Sequence, residues 1–289
     1  VNTSGSVSGV ISGSGVTLTK TGAGDLTLAG ANSYTGATAI NAGSLTVTGG
    51  LSDSTAVSVS SGATFNVNAS DTVGSITGSG TISTSTSGAK TLAVGNDNSS
   101  TNFSGVIQNG SGSIGLTKLG SGTLTLSGTN SYSGITTISS GTLSISTDLN
   151  LGAVPASTTS NSITLSGGVL QATGAATLDA KRGITMTADS GLAGTAGNTL
   201  VVNGIVDGAF ALTINGASQT GAVTLAGANT YSGATTVNAG TLNVTNNSGL
   251  GTTAAGTTIN SGATLDLVNV TVGAEAITFA GGTLADATS

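Results

Sequence analysis

Asp179, Lys181, Arg182 and Asp189 come closest to a catalytic grouping in this chain, with the carboxylates of Glu275 and Asp286 far off in sequence. Clustered carboxylates beside a base are what polysaccharide cleavage needs, one to protonate the leaving group and one to attack or activate water. The chain has no histidine, so no unperturbed side chain titrates near neutrality. The four charges therefore read as a solvated loop, and the chain reads as a non-enzyme, with a polysaccharide-degrading enzyme kept as an alternative.

Three other patterns invite chemistry. GSGSIG at 110–115 places Gly110, Gly112 and Gly115 as a dinucleotide loop would, but that loop must open a helix, and LTKLGSGTLTL after it reads as strand and turn. Asp25 beside Gly22 and Gly24 fits one rung of a calcium-binding carboxylate ladder, yet no carboxylate stands at the matching later positions, Thr123 among them, so no ladder forms. No cofactor and no metal site are expected. The tyrosines of N-x-Y-x-G, Tyr34, Tyr132 and Tyr231, could offer exposed rings to a sugar or receptor. The reading preferred here is structural: each ring covers the apolar end of its own coil while Asn32, Asn130 or Asn229 bonds the turn backbone.

The composition bounds what can position such residues. With 48 glycines and only 7 aromatics, a conventional globular core is improbable. Hydrophobic residues at 37% against 6% charged, with one proline, argue equally against disorder. There is no cysteine, so neither disulfides nor thiolate sites arise. A net charge of −6 cannot neutralise phosphates, which excludes nucleic acid as a partner. No apolar run reaches the roughly 18 residues of a membrane helix. The start at Val1 suggests a mature protein or an excised fragment.

Repetition supplies the architecture. KTGAGDLTLAGANSYTGATAINAGSLTV at 20–47 returns as KLGSGTLTLSGTNSYSGITTISSGTLSI at 118–145 and as QTGAVTLAGANTYSGATTVNAGTLNV at 219–244. Successive tyrosines are 98 and 99 residues apart. The chain thus reads as one solenoid segment made of three units, approximately 1–100, 101–199 and 200–289. Inside a unit, apolar pairs such as Leu26/Leu28, Leu45/Val47 and Phe65/Val67 enclose single polar residues, as strands with one buried face require. Leu28, Val47 and Val67 recur at 19 and 20 residues, and Leu126, Ile145 and Leu165 do likewise. A period of about 20 punctuated by Gly and Asn is that of a parallel β-helix. Fourteen or so coils at about 4.8 Å each give a rod on the order of 70 Å. Right-handed winding follows from the handedness of parallel crossovers. Loops are expected at 152–161, around Pro155, and around 181–190, where KRG at 181–183 interrupts the pattern.

The string G-x-G-x-L-T-L-x-G-x-N-x-Y-x-G-x-T-x-I-x-x-G-x-L-x-V resembles the passenger-associated transport repeat, also called the autotransporter-associated β-strand repeat. Its structural positions here are Gly30, Asn32, Tyr34, Gly36 and Gly43, then Gly128, Asn130, Tyr132, Gly134 and Gly141, then Gly227, Asn229, Tyr231, Gly233 and Gly240. The resemblance implies a Gram-negative autotransporter passenger: a right-handed β-helix exported through an outer-membrane translocator barrel outside this segment, at the bacterial surface or secreted. It implies a rigid stalk or adhesin that meets a host or neighbouring cell, with a Thr-rich ice- or glycan-binding solenoid as the alternative. Repeat-like text at both ends, without an evident cap, adds an expectation that the piece is the interior of a longer solenoid and self-associates end to end.

Overall fold

A computed structural model describes residues 4–216 and 218–285. Expectations resting on Val1 or Asp286 fall outside those residues. The described residues are all-β, forming parallel β-solenoid coils of about 21 residues, about 13 turns in all. A single 3-10 turn, Asp148–Leu151, is the one helical element among them.

The chain divides into two compact units, one of Val1–Thr136 with Leu149–Ala153 and one of Thr137–Asp148 with Val154–Ser289. In the first, Gly5–Val7, Asp25–Leu28, Ser44–Val47, Thr64–Val67, Thr81–Ser83 and Val106–Ile107 stack in that order into a parallel sheet. In the second, Ala176–Leu178, Thr199–Val202, Ala222–Leu225, Gly240–Val244, Ala263–Leu267 and Thr283–Ala285 do the same.

Register follows from which side chains must leave water. Leu28 pairs with Val47 and Val47 with Val67, while Leu170, Leu192, Ile214, Val237 and Ile259 form one aliphatic column in the second unit. These side chains are fully buried, Leu126 among them, and each contributes on the order of 2 kcal/mol by leaving water. The intervening Thr125 is only half-buried. A one-residue slip would exchange these faces, so the alternation locks the register.

Coil length varies more than the sequence suggested. Phe65 pairs with Ile82, 17 residues on, but Ile82 pairs with Ile107, 25 on. The expected step from Ile145 to Leu165 is not made: Ile145 pairs with Ala172, and Leu165 pairs with Met186 in another sheet. The cause is the inserted 3-10 turn and the irregular stretch around Pro155, which lengthen that coil. Strand Thr159–Leu165 begins inside the expected loop 152–161. Likewise Arg182 opens strand Arg182–Met186, so the excursion there shrinks to a turn at Asp179–Lys181.

Candidate functional site

The N-x-Y-x-G residues form the same constellation three times. Each asparagine is buried and joins separate coils. Asn32 Oδ1 accepts the Ile11 N–H at 3.0 Å, and its Nδ2 donates to the Gly30 and Gly50 carbonyls at 2.7 and 3.0 Å. Asn130 accepts from Ile107 N at 2.7 Å and donates to Asn150 O at 2.6 Å. Asn229 accepts from Val206 N at 2.8 Å and donates to Gly249 O at 2.7 Å. One amide thus bonds the coil before it and the coil after it, which satisfies backbone groups that the turn withdraws from the sheet ladder.

The tyrosines lie inside as well. Tyr34 and Tyr231 have no exposed surface and Tyr132 has 1%, so none is available as an outer contact. Each hydroxyl shares a hydrogen bond with the threonine four residues on: Thr38 at 2.6 Å, Thr136 at 2.8 Å and Thr235 at 2.8 Å. A buried ring with its polar tip bonded fills the corner without leaving an orphaned oxygen. Burial, only partly offset by the threonine hydroxyl, holds the Tyr34 and Tyr231 phenols above their usual range.

The motif glycines are where the coils touch. A Cβ at Gly36, Gly134 or Gly233 would sit 2.3, 2.5 or 2.0 Å from the carbonyl oxygen of Val16, Ile114 or Phe210. At Gly30, Gly128 and Gly227 the corresponding distances, to the oxygens of Gly9, Gly105 and Gly204, are 2.5, 1.8 and 2.2 Å. No side chain fits under those carbonyls. Gly43, Gly141 and Gly240 instead adopt φ of 64°, 61° and 64°, the left-handed corner that glycine enters at least cost.

Sequence reasoning missed the groups that hold this corner. Lys20, 2% exposed, donates Nζ to the carbonyls of Thr21, Gly22 and Ala42. Lys118, with no exposed surface, donates to Leu119 O and Gly120 O. Burial pulls the Lys118 ammonium below its usual range, and the Asp97 carboxylate opposes that. In the third copy Ile214 takes the lysine's place and the next residue, Asn215 at φ 51°, does the work. Its Nδ2 donates to Gly221 O and Ala239 O, both at 2.9 Å, and its Oδ1 accepts from Gly194 N at 2.8 Å. The available signal was the 98-residue spacing of Lys20 and Lys118 in a chain with only 5 basic residues.

The charged residues do not converge on a reaction centre. Arg182 Nε pairs with Asp148 at 2.7 Å, both largely buried. Asp179 Oδ1 accepts from Lys181 N at 2.8 Å, which closes its own turn. Asp189 Oδ1 accepts from Ala211 N at 2.9 Å, and Glu275 from Thr257 Oγ1 at 2.8 Å. Asp25 accepts from Thr46 Oγ1 at 3.1 Å. GSGSIG runs into strand Ser113–Lys118 and not into a helix. Among the described residues no three potential metal ligands gather, and no helix is long and apolar enough to cross a membrane.

Comparison with known proteins converges on the same segments. Residues 18–47, 116–145 and 212–244 match the family model of the passenger-associated-transport-repeat. Over 246 residues, 78% of this chain, it is 34% identical to the adhesin BmaC autotransporter of Brucella suis biovar 1 (strain 1330). The aligned stretch is 7% of that relative's length, so the chain spans a small part of the curated relative it matches. No solved structure matches.

Proposed function

We propose that this chain, which belongs to the autotransporter passengers carrying the passenger-associated transport repeat, is a non-catalytic stalk segment that supports adhesion from the cell surface. Surface or extracellular location follows from that membership. The observation that carries the reading is that the side-chain polar groups of the repeated asparagines and tyrosines turn inward and bond the coils to one another. A repeat that directs its Asn and Tyr side chains to internal fastening is suited to bearing load. The three units of about 98 residues are read as copies of one such building block, and a translocator barrel of the same protein as the partner that exports it.

Deletion of one complete unit from the surface-displayed passenger tests this. A stalk keeps its export and its affinity for a soluble receptor while losing attachment to cells whose surface coat is too thick for the shortened segment to span. Loss of soluble binding would instead place a receptor site within the deleted unit.

A further inference from the structure

In the second unit, the outward column of one sheet runs Val169, Gly191, Thr213 across three paired strands. Glycine at the middle position removes a side chain from an otherwise continuous ridge. Asn215, Gly216 and Gln219 add a wall, and the result is a notch of about 260 Å³ lined among others by Val169, Asp189, Gly191, Thr213 and Gln219. The size is that of one sugar ring rather than of an extended peptide.

The chemistry of the lining narrows the occupant. Asp189 uses Oδ1 for the Ala211 N–H, and its Oδ2 accepts no hydrogen bond from the described residues. Gln219 uses Oε1 for the Gly216 N–H, which leaves its Nε2 protons as donors. The Thr213 hydroxyl likewise has no partner among the described residues. Phe210, 38% exposed, precedes Ala211 at the same strand end. The notch therefore offers one charged acceptor, one hydroxyl and one amide donor around a floor of glycine backbone and valine methyls. A cation would face the Gln219 donor and an anion would face the Asp189 carboxylate. A neutral ring with an apolar C–H face and hydroxyls at its edge matches all three groups, which follows the usual build of small-ligand sites, with apolar lining and few convergent polar groups.

We propose that this notch is a binding site for one neutral pyranose ring, independent of whether the segment acts as a stalk. For so few atoms the expected Kd is on the order of 1 mM. The probes are the methyl glycosides of glucose, galactose, mannose and N-acetylglucosamine, titrated to about 20 mM against the isotope-labelled chain while amide shifts are followed. At least one should shift the Gly191 and Thr213 amides with saturation. Asp189→Asn and Thr213→Val should each weaken it by about tenfold, the effect of one lost hydrogen bond, while Asp25→Asn leaves it unchanged. Unaltered thermal midpoints certify that the variants are folded. Absence of saturable shifts at those amides with every probe, equal binding in both variants, or a larger response to a lysine-rich tetrapeptide would each overturn the proposal.

Discussion

The corner held by Lys118 and the corner held by Asn215 solve one problem with different chemistry. Both face buried turn carbonyls near a glycine at positive φ, and both place a nitrogen among them. The lysine brings a charge into a site with no exposed surface, so its favourable bonds are offset by the loss of hydration. The asparagine is neutral and also accepts the Gly194 N–H. The repeat conserves a hydrogen-bonding duty rather than a residue type, which is why the third copy departs from the sequence pattern without losing the coil.

That difference sets the order of expected effects. Asn215→Leu strands two carbonyls and one N–H in the interior and should destabilise by about 4 kcal/mol in chemical denaturation. Lys118→Met strands at least the carbonyls of Leu119 and Gly120 but removes a buried charge, so a smaller cost of about 2 kcal/mol is expected. The sign of its pH dependence is specific. Because the folded state holds the Lys118 proton less tightly than the unfolded one, wild-type stability should rise as pH climbs toward the ordinary lysine value of 10.5. Lys118→Met should lack that rise, and Asn215→Leu should keep it. A Lys118→Met loss as large as the asparagine's would break the comparison.

Asp71 provides a contrast in which a half-buried carboxyl has only backbone donors among the described residues. Burial pushes its carboxyl up to about 6 from 3.8, against the N–H groups of Leu51 and Thr72 that favour the ionised form. A raised acid binds its proton more tightly when folded, so its contribution is present below pH 3.8 and is lost as pH rises to about 6. Asp71→Asn should remove that decline, worth about 2 kcal/mol between pH 4 and 7 when stability is measured by denaturant titration at each pH. The smallest effect belongs to Tyr132→Phe and Tyr231→Phe, which remove one buried hydroxyl bond each and should cost about 1 kcal/mol equally in both units.

How far the sequence revealed this depended on which interactions repeat. Leu126 inward and Thr125 outward follow from strand alternation, and the coil period follows from the spacing of Leu28, Val47 and Val67. The partner of Ile145 was not readable, because the inserted turn before Thr159 shifts the pairing by several residues and insertions carry no periodic mark. Lys20 and Lys118 were passed over since charges belong by default in water. The carbonyls gather around them only in the folded chain. Asn215 hid behind the misaligned third copy, where the expected lysine column holds Ile214. The inward tyrosine and asparagine side chains were legible as a structural reading of N-x-Y-x-G. Their exact reach across coils was not, since it depends on which backbone groups the corners leave unpaired.

The repeated asparagines fasten coils to one another inside the fold. Amide hydrogen exchange tests it at named atoms: the N–H of Ile107 and of Val206, which donate to Asn130 and Asn229, should be among the slowest to exchange. Asn229→Ala should accelerate Val206 by about tenfold or more while Ile107 stays protected. Unchanged exchange at Val206 in that variant, with soluble receptor binding lost instead, would contradict the account and return the motif to the outer surface.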